Sequence, residues 1–407
     1  MNVPKLRFKE FDGEWAERKL IDNAEKVLDY RGKSPTKFGM NWGNEGYLVL
    51  SALNVKDGYI DKSVDAKYGN QELLERWMGD YRLVEGDVLF TTEAPLGNVA
   101  QVPDNNGYIL NQRAVAFKTS EGTDNNFFAH LLRNPSVQNK LYANASGGTA
   151  KGIGMKEFAK LTSYVPKIDE QKKIGLLFKK LDEKIQLQQQ KIDLLQEQKT
   201  GYMQKIFRQD LRFKGFVEKW ENKSLESVVE RITRKNKNLE SNLPLTISAE
   251  KGLVDQITYF NKNVSGKDLA GYYLLKRGEF AYNKSYSNGY PWGAIKRLEN
   301  YEMGVLSTLY ICFKTTNIND EFLKHYFETT HWHKEVSMIA AEGARNHGLL
   351  NIPVTDFFKI KITIPSEEEQ EKIAKFFNVI EEKLNLEQAK LLNLKKQKQG
   401  FMQQMFI

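Results

Sequence analysis

The sequence predicts an α+β protein built as two tandem copies of one globular domain, each running into a long α-helix. Three observations carry this reading. Two blocks of residues recur at constant offsets, the segments between them break into short apolar strands separated by turn residues, and each copy closes on about 40 residues of heptad periodicity.

The first block, Leu6-Arg7-Phe8-Lys9 with Phe11, Trp15 and Leu20, returns as Leu211-Arg212-Phe213-Lys214 with Phe216, Trp220 and Leu225, an offset of 205. The second block contains Pro166, Glu170-Gln171, Lys173-Ile174, Phe178, Gly201, Met203-Gln204 and Phe207. It returns 199 residues later as Pro365, Glu369-Gln370, Lys372-Ile373, Phe377, Gly400, Met402-Gln403 and Phe406, so the second middle segment is six residues shorter. Between the blocks the copies have diverged, but echoes keep their order. Gly86-Asp87 answers Gly278-Glu279, Phe117-Lys118-Thr119 answers Phe313-Lys314-Thr315, His130 answers His325, and Gly148 answers Gly343.

Within the middles, runs such as Tyr47 to Leu50, Val88 to Thr91 and Ala114 to Phe117 read as strands bounded by Gly, Asn and Asp turns. One helix follows in each copy, over roughly 125–145 and 320–341. The βαβ alternation of a doubly wound sheet is missing.

The heptad seam of the first long helix runs through Ile174, Phe178, Leu181, Ile185, Gln188, Ile192, Leu195, Lys199, Tyr202 and Ile206. That of the second runs through Ile373, Phe377, Ile380, Leu384, Glu387, Leu391, Leu394, Lys398, Phe401 and Met405. A helix of about 40 residues is a rod about 60 Å long and needs a partner along its apolar side. The nearest partner for each rod is the other, which predicts an intramolecular coiled coil; docking on its own domain or on another subunit is the alternative. Gln188, Lys199, Glu387 and Lys398 interrupt the seam at equivalent places and restrict register. Periodicity leaves the direction of pairing open.

The 407 residues, 41% apolar and 12% aromatic, suffice for two or three cores. No apolar run approaches the roughly 20 residues of a membrane helix, and Met1 to Phe11 is charged where a signal peptide is apolar. These features predict a soluble, cytoplasmic protein. The single cysteine, Cys312, lies in an apolar run and reads as a core residue. A formal charge of +8 favours a polyanionic partner.

Signatures of catalysis are lacking. Gly147-Gly148-Thr149-Ala150-Lys151-Gly152 has the composition of a phosphate loop without its order. His331 and His333 would point to opposite sides of a solvated helix, which predicts no metal site. His130 and His325 hold equivalent helix positions, which suggests a shared packing role. Asp65-Ala66-Lys67 and Asp182-Glu183-Lys184 are tripeptides that a chain with 28% charged residues produces by chance, and Asn134-Pro135-Ser136 fails as an adenine-methyltransferase motif. What remains is basic residues mixed with aromatics and amides: Tyr30 to Lys37 with Trp42, Asn111-Gln112-Arg113, and Tyr282 to Trp292. Such residues suit DNA phosphates and base edges, and they suit solvated turns as well. Gly147 to Gly152 and Glu342 to Gly348 place a basic, Gly-rich loop before the long helix in both copies.

The combination resembles the specificity subunit of type I restriction–modification systems over essentially the whole chain. The likeness is carried by the duplication with variable middles and by the Pro-x-x-x-Glu-Gln entrance to each long helix. Further likeness lies in Trp77 through Gly86-Asp87-Val88-Leu89, in Gly97-Asn98-Val99-Ala100 and in Asn111-Gln112-Arg113. The resemblance implies two target recognition domains, each reading half of a bipartite, asymmetric DNA sequence, and an antiparallel helix pair as spacer. It implies residues 1–164 as the first recognition domain with a constant block at 4–20, and 165–209 as the central helix. Residues 210–363 become the second domain with a constant block at 210–225, and 364–407 the last helix. It implies two methyltransferase subunits carrying S-adenosylmethionine, endonuclease and translocase subunits joining for cleavage, and neither catalysis nor a cofactor in this chain. Carried onto this sequence, it points to Arg31, Lys33, Gln112, Arg113 and Lys151 in the first domain, and to Lys284, Tyr286, Asn288, Arg345 and Asn346 in the second, as DNA contacts. Leu306-Ser307-Thr308 stands where the first copy has Asn111-Gln112-Arg113, so that contact is not expected twice. A basic coiled-coil scaffold, another non-enzymatic DNA-binding protein and a free-standing nuclease are the competing readings.

Overall fold

The computed structural model describes residues 2–262, 266, 268–287, 289–340 and 350–407. It divides into two compact units, Met1–Lys191 with Gln388–Ile407, and Ile192–Glu387.

In the first unit a strand at Ala16–Lys19 pairs antiparallel with Thr162–Val165, Ala16 opposite Val165. An antiparallel four-stranded sheet follows in the order Ala24–Asp29, Ala114–Thr119, Val88–Thr91, Val99–Gln101. Side chains alternate across this sheet, as period-two strands require. Val88, Phe90, Val115 and Phe117 enter one apolar cluster with Phe127, Phe128 and Phe158, while Leu89, Ala100, Ala114 and Ala116 enter another around Trp77. Both faces are covered, so these strands read as apolar runs. A smaller sheet places Tyr47–Leu50 between Tyr68–Gly69 and Tyr108–Leu110, parallel to the latter.

The second unit repeats this plan. Glu221–Ser224 pairs with Lys361–Ile364, Glu221 opposite Ile364, so both partners have moved by the two sequence offsets. The second four-stranded sheet runs Val229–Arg231, Ile311–Thr315, Phe280–Asn283, Ala294–Arg297. The Gly-Asp and Gly-Glu echoes form the same turn. Gly86 and Gly278 sit at φ 89° and 87°, a backbone region that favours glycine. Asp87 accepts from Val84 N at 2.8 Å and from Lys118; Glu279 accepts from Lys276 N at 2.7 Å and from Arg234 at 2.6 Å. Cys312 is a core residue, its thiol pushed up to about 12 by burial.

The single helix expected after each sheet is two. Asn125–Arg133 stops before Asn134, whose side chain caps Pro135–Ala143 by accepting from Ser136 N at 2.8 Å, with Pro135 in the first turn where its missing N–H costs nothing. In the second copy Asp320–Glu328 ends at Thr329, and His333–Ile339 starts a new helix.

The long helices span Ile168–Phe207 and Glu367–Gln404, opening on Asp169-Glu170 and Glu367-Glu368-Glu369, acidic residues that suit a helix N-terminus. In the first unit Phe178 packs on Phe406 and Asp182 meets Lys398; in the second, Phe207 packs on Phe377 and Lys199 meets Glu381. Partners therefore recede along one helix as the other advances, and the pair is an antiparallel coiled coil. Ile174, Phe178, Leu181, Ile192, Leu195, Ile373, Phe377, Leu384 and Leu391 are buried, and Ile185, Ile380 and Leu394 half-buried. Tyr202 departs from the seam: it is exposed, and Met203 is buried in its place. A straight helix drifts about 20° per heptad, enough to hand the buried position to the next residue.

Candidate nucleic-acid interface

The Glu-Gln entrance explains how each domain is fixed to its rod. Arg7 grips Glu170 through two nitrogens at 2.7 Å each, and Arg212 grips Glu369 at 3.0 and 2.6 Å. Gln171 donates to Pro166 O at 2.9 Å and accepts from Asp124 N at 3.1 Å; Gln370 donates to Pro365 O at 3.0 Å and accepts from Asn319 N at 3.0 Å. Asp124 and Asn319 are themselves the N-caps of the first domain helices. One turn of each rod thus orients the block before the domain, the domain helix and the strand leading out.

On this frame the first unit gathers Arg31, Lys33, Gln112, Arg113 and the Lys151 loop. Arg31 holds Asp29 through two nitrogens at 2.8 and 2.6 Å and reaches Thr92 Oγ1 at 3.2 Å. Asp29 keeps the guanidinium firmly protonated. Thr92 N donates to Arg113 O at 2.8 Å, and Arg113 pairs with Glu93 at 3.1 Å. Lys33 lies 4.7 Å from the ring centre of Tyr30, and Gln112 Nε2 points to Lys33 O at 3.5 Å. The loop before the rod is tied in by Gly152 bridging to Glu93 and by Ile153 N donating to Thr92 O at 2.9 Å. Asp29, Arg31, Thr92, Glu93, Ser146, Gly147 and Gly152 line an open cleft of about 760 Å³. Arg113 sits at φ 63°, a strained conformation for a side chain with a Cβ. Sequence reasoning missed Asp29, Thr92 and Glu93; lone polar residues at strand ends carry no pattern.

In the second unit Lys284 is half-buried beside the sheet, its carbonyl accepting from Leu350 N at 2.8 Å and its ammonium held below the usual lysine range by burial. Tyr286 is 59% exposed. Asn288, Arg345, Asn346 and the loop Glu342 to Gly348 lie outside the described residues. Strand ends correct one alignment. Leu110 and Leu306 both close their strands, and Val115 and Ile311 hold equivalent places, so Ser307-Thr308-Leu309 answers Asn111-Gln112-Arg113, one residue later than the sequence comparison placed it. Leu309, 65% exposed, occupies the place of Arg113.

The equivalent histidines do pack alike: His130 stacks on Phe178 at 5.0 Å and His325 lies 5.2 Å from Phe377. His331 precedes its helix rather than lying on it, and with His333 it borders a cleft. Although the spacing of residues predicts no metal ligands, the fold brings His325, Glu328 and Glu381 to within 4.8 Å of one another.

A domain present twice in one register, each copy keyed to a helical rod, defines a protein with one frame used twice beneath unlike loops. Residues 13–197 match the sequence model of the type I restriction modification DNA specificity domain. In structure the chain is similar to the S subunit of a type I restriction–modification system from M. genitalium, at 14% identity and TM-score 0.61 over 100% of this chain and 99% of that one. It is also similar to a chain from a study of complex assembly and conformational transition of the type I restriction–modification system, at 16% identity and TM-score 0.53 over 95% of this chain and 96% of that one. No curated protein matches by sequence. The match to the specificity-domain model covers the first copy, and the whole chain shares the fold of these S subunits. Among the described residues, no helix is long and apolar enough to cross a membrane.

Proposed function

We propose that each globular domain reads one half of a bipartite, asymmetric DNA target and that the helix pair sets the spacing between the halves. The recognition domains are residues 1–164 and 210–363, and the rods 165–209 and 364–407. The chain performs no chemistry itself. Two methyltransferase subunits supply S-adenosylmethionine and methylate adenine, endonuclease and translocase subunits join for cleavage, and the complex works in the cytoplasm. Arg31, Lys33, Gln112, Arg113 and Lys151 touch DNA from the first domain; Lys284, Tyr286, Asn288, Arg345 and Asn346 do so from the second.

The observation that carries this reading is the contrast between an identical frame and different loops. The pairing Ala16 with Val165 recurs as Glu221 with Ile364, yet Asn111-Gln112-Arg113 is replaced by Ser307-Thr308-Leu309. An arginine fork suits a guanine edge or a phosphate, whereas an exposed leucine suits a thymine methyl, so one scaffold presents two specificities. Coexpression with the cognate methyltransferase subunit, followed by mapping of methylated adenines, tests it. A split motif with two unlike halves is expected; methylation at an unsplit motif, or none, overturns the reading.

A further inference from the structure

We propose that His325, Glu328 and Glu381 form a site for a divalent transition metal in the second unit, for which the ammonium of Lys199 is the resident alternative. The site is independent of DNA reading.

The geometry is that of a built cation site. Glu328 Oε2 and Glu381 Oε1 converge on Lys199 Nζ at 2.8 and 2.7 Å. His325, whose side chain is fully buried, turns Nδ1 toward the same two oxygens at 3.7 and 3.8 Å, too far for a hydrogen bond, and Nδ1 has no partner. A buried nitrogen without a partner calls for an ion or water. Its other nitrogen, Nε2, lies 3.1 Å from Asn378 Oδ1. Donation there leaves the lone pair on Nδ1, aimed at the carboxylates, and such an outer contact is what orients a metal-binding histidine. The ammonium satisfies two of the three ligands; a metal ion satisfies all three. With bonds of about 2.0–2.2 Å, ligand atoms around a tetrahedral ion stand about 3.4 Å apart, so the two histidine-to-carboxylate separations of 3.7 and 3.8 Å close with shifts of a few tenths of an ångström. One nitrogen and two carboxylate oxygens suit Zn²⁺ or Co²⁺.

Lys199 has somewhere to go. It and Glu328 border a cleft of about 580 Å³ that also holds Glu250, and the flexible stem lets the ammonium swing into it. The same cleft supplies water for the fourth coordination position.

The first unit is an internal control. The alignment of His130 with His325 places Arg133 where the second copy has Glu328. His130 Nδ1 lies 2.6 Å from Asn126 O and Nε2 2.9 Å from Asp182, so neither nitrogen is orphaned, and Asp182 is the carboxylate that meets the lysine of the opposite helix, Lys398. Among the described residues, the metal set belongs to the second copy.

The test titrates Zn²⁺ by calorimetry and Co²⁺ by visible absorption into the full chain stripped with chelator. The wild type is expected to bind one ion at this site. Glu328→Gln and His325→Ala weaken that binding at least tenfold, and Lys199→Met, which removes the competing ammonium, tightens it at least tenfold. Glu328→Gln preserves volume, so the result does not depend on whether His325→Ala folds. Arg133→Gln, at the control position, leaves binding unchanged. Binding that Glu328→Gln leaves unchanged, or no saturable binding by either wild type or Lys199→Met, overturns the proposal. Neither outcome bears on the methylation map.

Discussion

Lys199 Nζ lies 2.7 Å from Glu381 Oε1, and 199 residues on from Lys199 the matching lysine, Lys398, meets Asp182, the residue matching Glu381. Each rod therefore supplies one lysine from its seam and one carboxylate at equivalent places. A one-turn slip would leave both lysines in apolar surroundings. Lys199→Met takes the shared cation from the half-buried Glu328 and Glu381, leaving Glu381 its contact with Lys324 at 2.7 Å, and should lower stability by on the order of 3 kcal/mol. Lys375→Met, at an exposed position of the second rod, should cost less than about 0.5 kcal/mol. Equal shifts of the denaturation midpoint for the two variants would remove the register role.

The two tryptophans of the first block differ in one contact. Trp220 Nε1 donates to Glu369 Oε2 at 3.1 Å, whereas the buried Trp15 Nε1 finds no acceptor among the described residues. Replacement by Phe removes similar apolar surface from both sites but breaks a charge-assisted hydrogen bond only at Trp220. Trp220→Phe should therefore cost about 1.5–3 kcal/mol more than Trp15→Phe in denaturant titrations.

Acid stability should report the same polar clusters. Burial pushes the Asp182 carboxyl up, but His130, Lys398 and Arg133 outweigh it and hold the group well below the usual carboxylate range. Glu328 is depressed likewise, burial being overcome with the help of the Lys199 ammonium. A depressed folded-state value contributes stability that is full above the unfolded value near pH 4 and is lost as pH falls toward the folded value. Between about pH 4 and pH 2, stability should drop by up to about 1.4 kcal/mol per pH unit for each such group. Asp182→Asn should flatten that limb relative to the wild type while lowering stability at pH 7. An unchanged acid limb would show that Asp182 is not held ionised.

Arg113 combines a strained backbone with a candidate base contact. Glycine accepts φ 63° without penalty, so Arg113→Gly should leave the melting temperature unchanged or slightly higher. The same change should weaken DNA binding about tenfold or more and relax sequence preference in one half-site only. Loss of both half-sites together would place Arg113 in the frame rather than on the reading surface.

The parts legible in the sequence are those that recur. Glu170-Gln171 and Glu369-Gln370 stand out because each makes the same local closure twice, and the heptads stand out because one apolar side of each rod is buried. What stayed hidden depends on residues far apart in sequence. Phe406 lies in the core with Trp15 and Phe127, and Phe207 in the core with Trp220 and Phe322. Nothing local assigns Phe406 to a core whose members Phe127 and Trp15 lie about 280 and 390 residues earlier. Lys199 and Lys398 read as flaws in the seam because their carboxylate partners lie beside it. The helix breaks at Asn134 and Thr329 were missed because the apolar spacing continues across them, and Asn134 also donates to Met402 O at 2.8 Å, a contact from the opposite end of the chain. In the reading loops neither periodicity nor repetition operates, so residue type alone suggested the candidates and gave no hint of Glu93 or Asp29.

The proposed function requires a fixed helical spacer between two separate reading domains. Insertion of one heptad into each rod, matched across the pair, lengthens it by about 10 Å, close to three base pairs at about 3.4 Å each. Methylated adenines mapped in cells carrying this variant and its methyltransferase should show both half-sites unchanged and the gap between them longer by about three base pairs. Altered half-sites with an unchanged gap would contradict it.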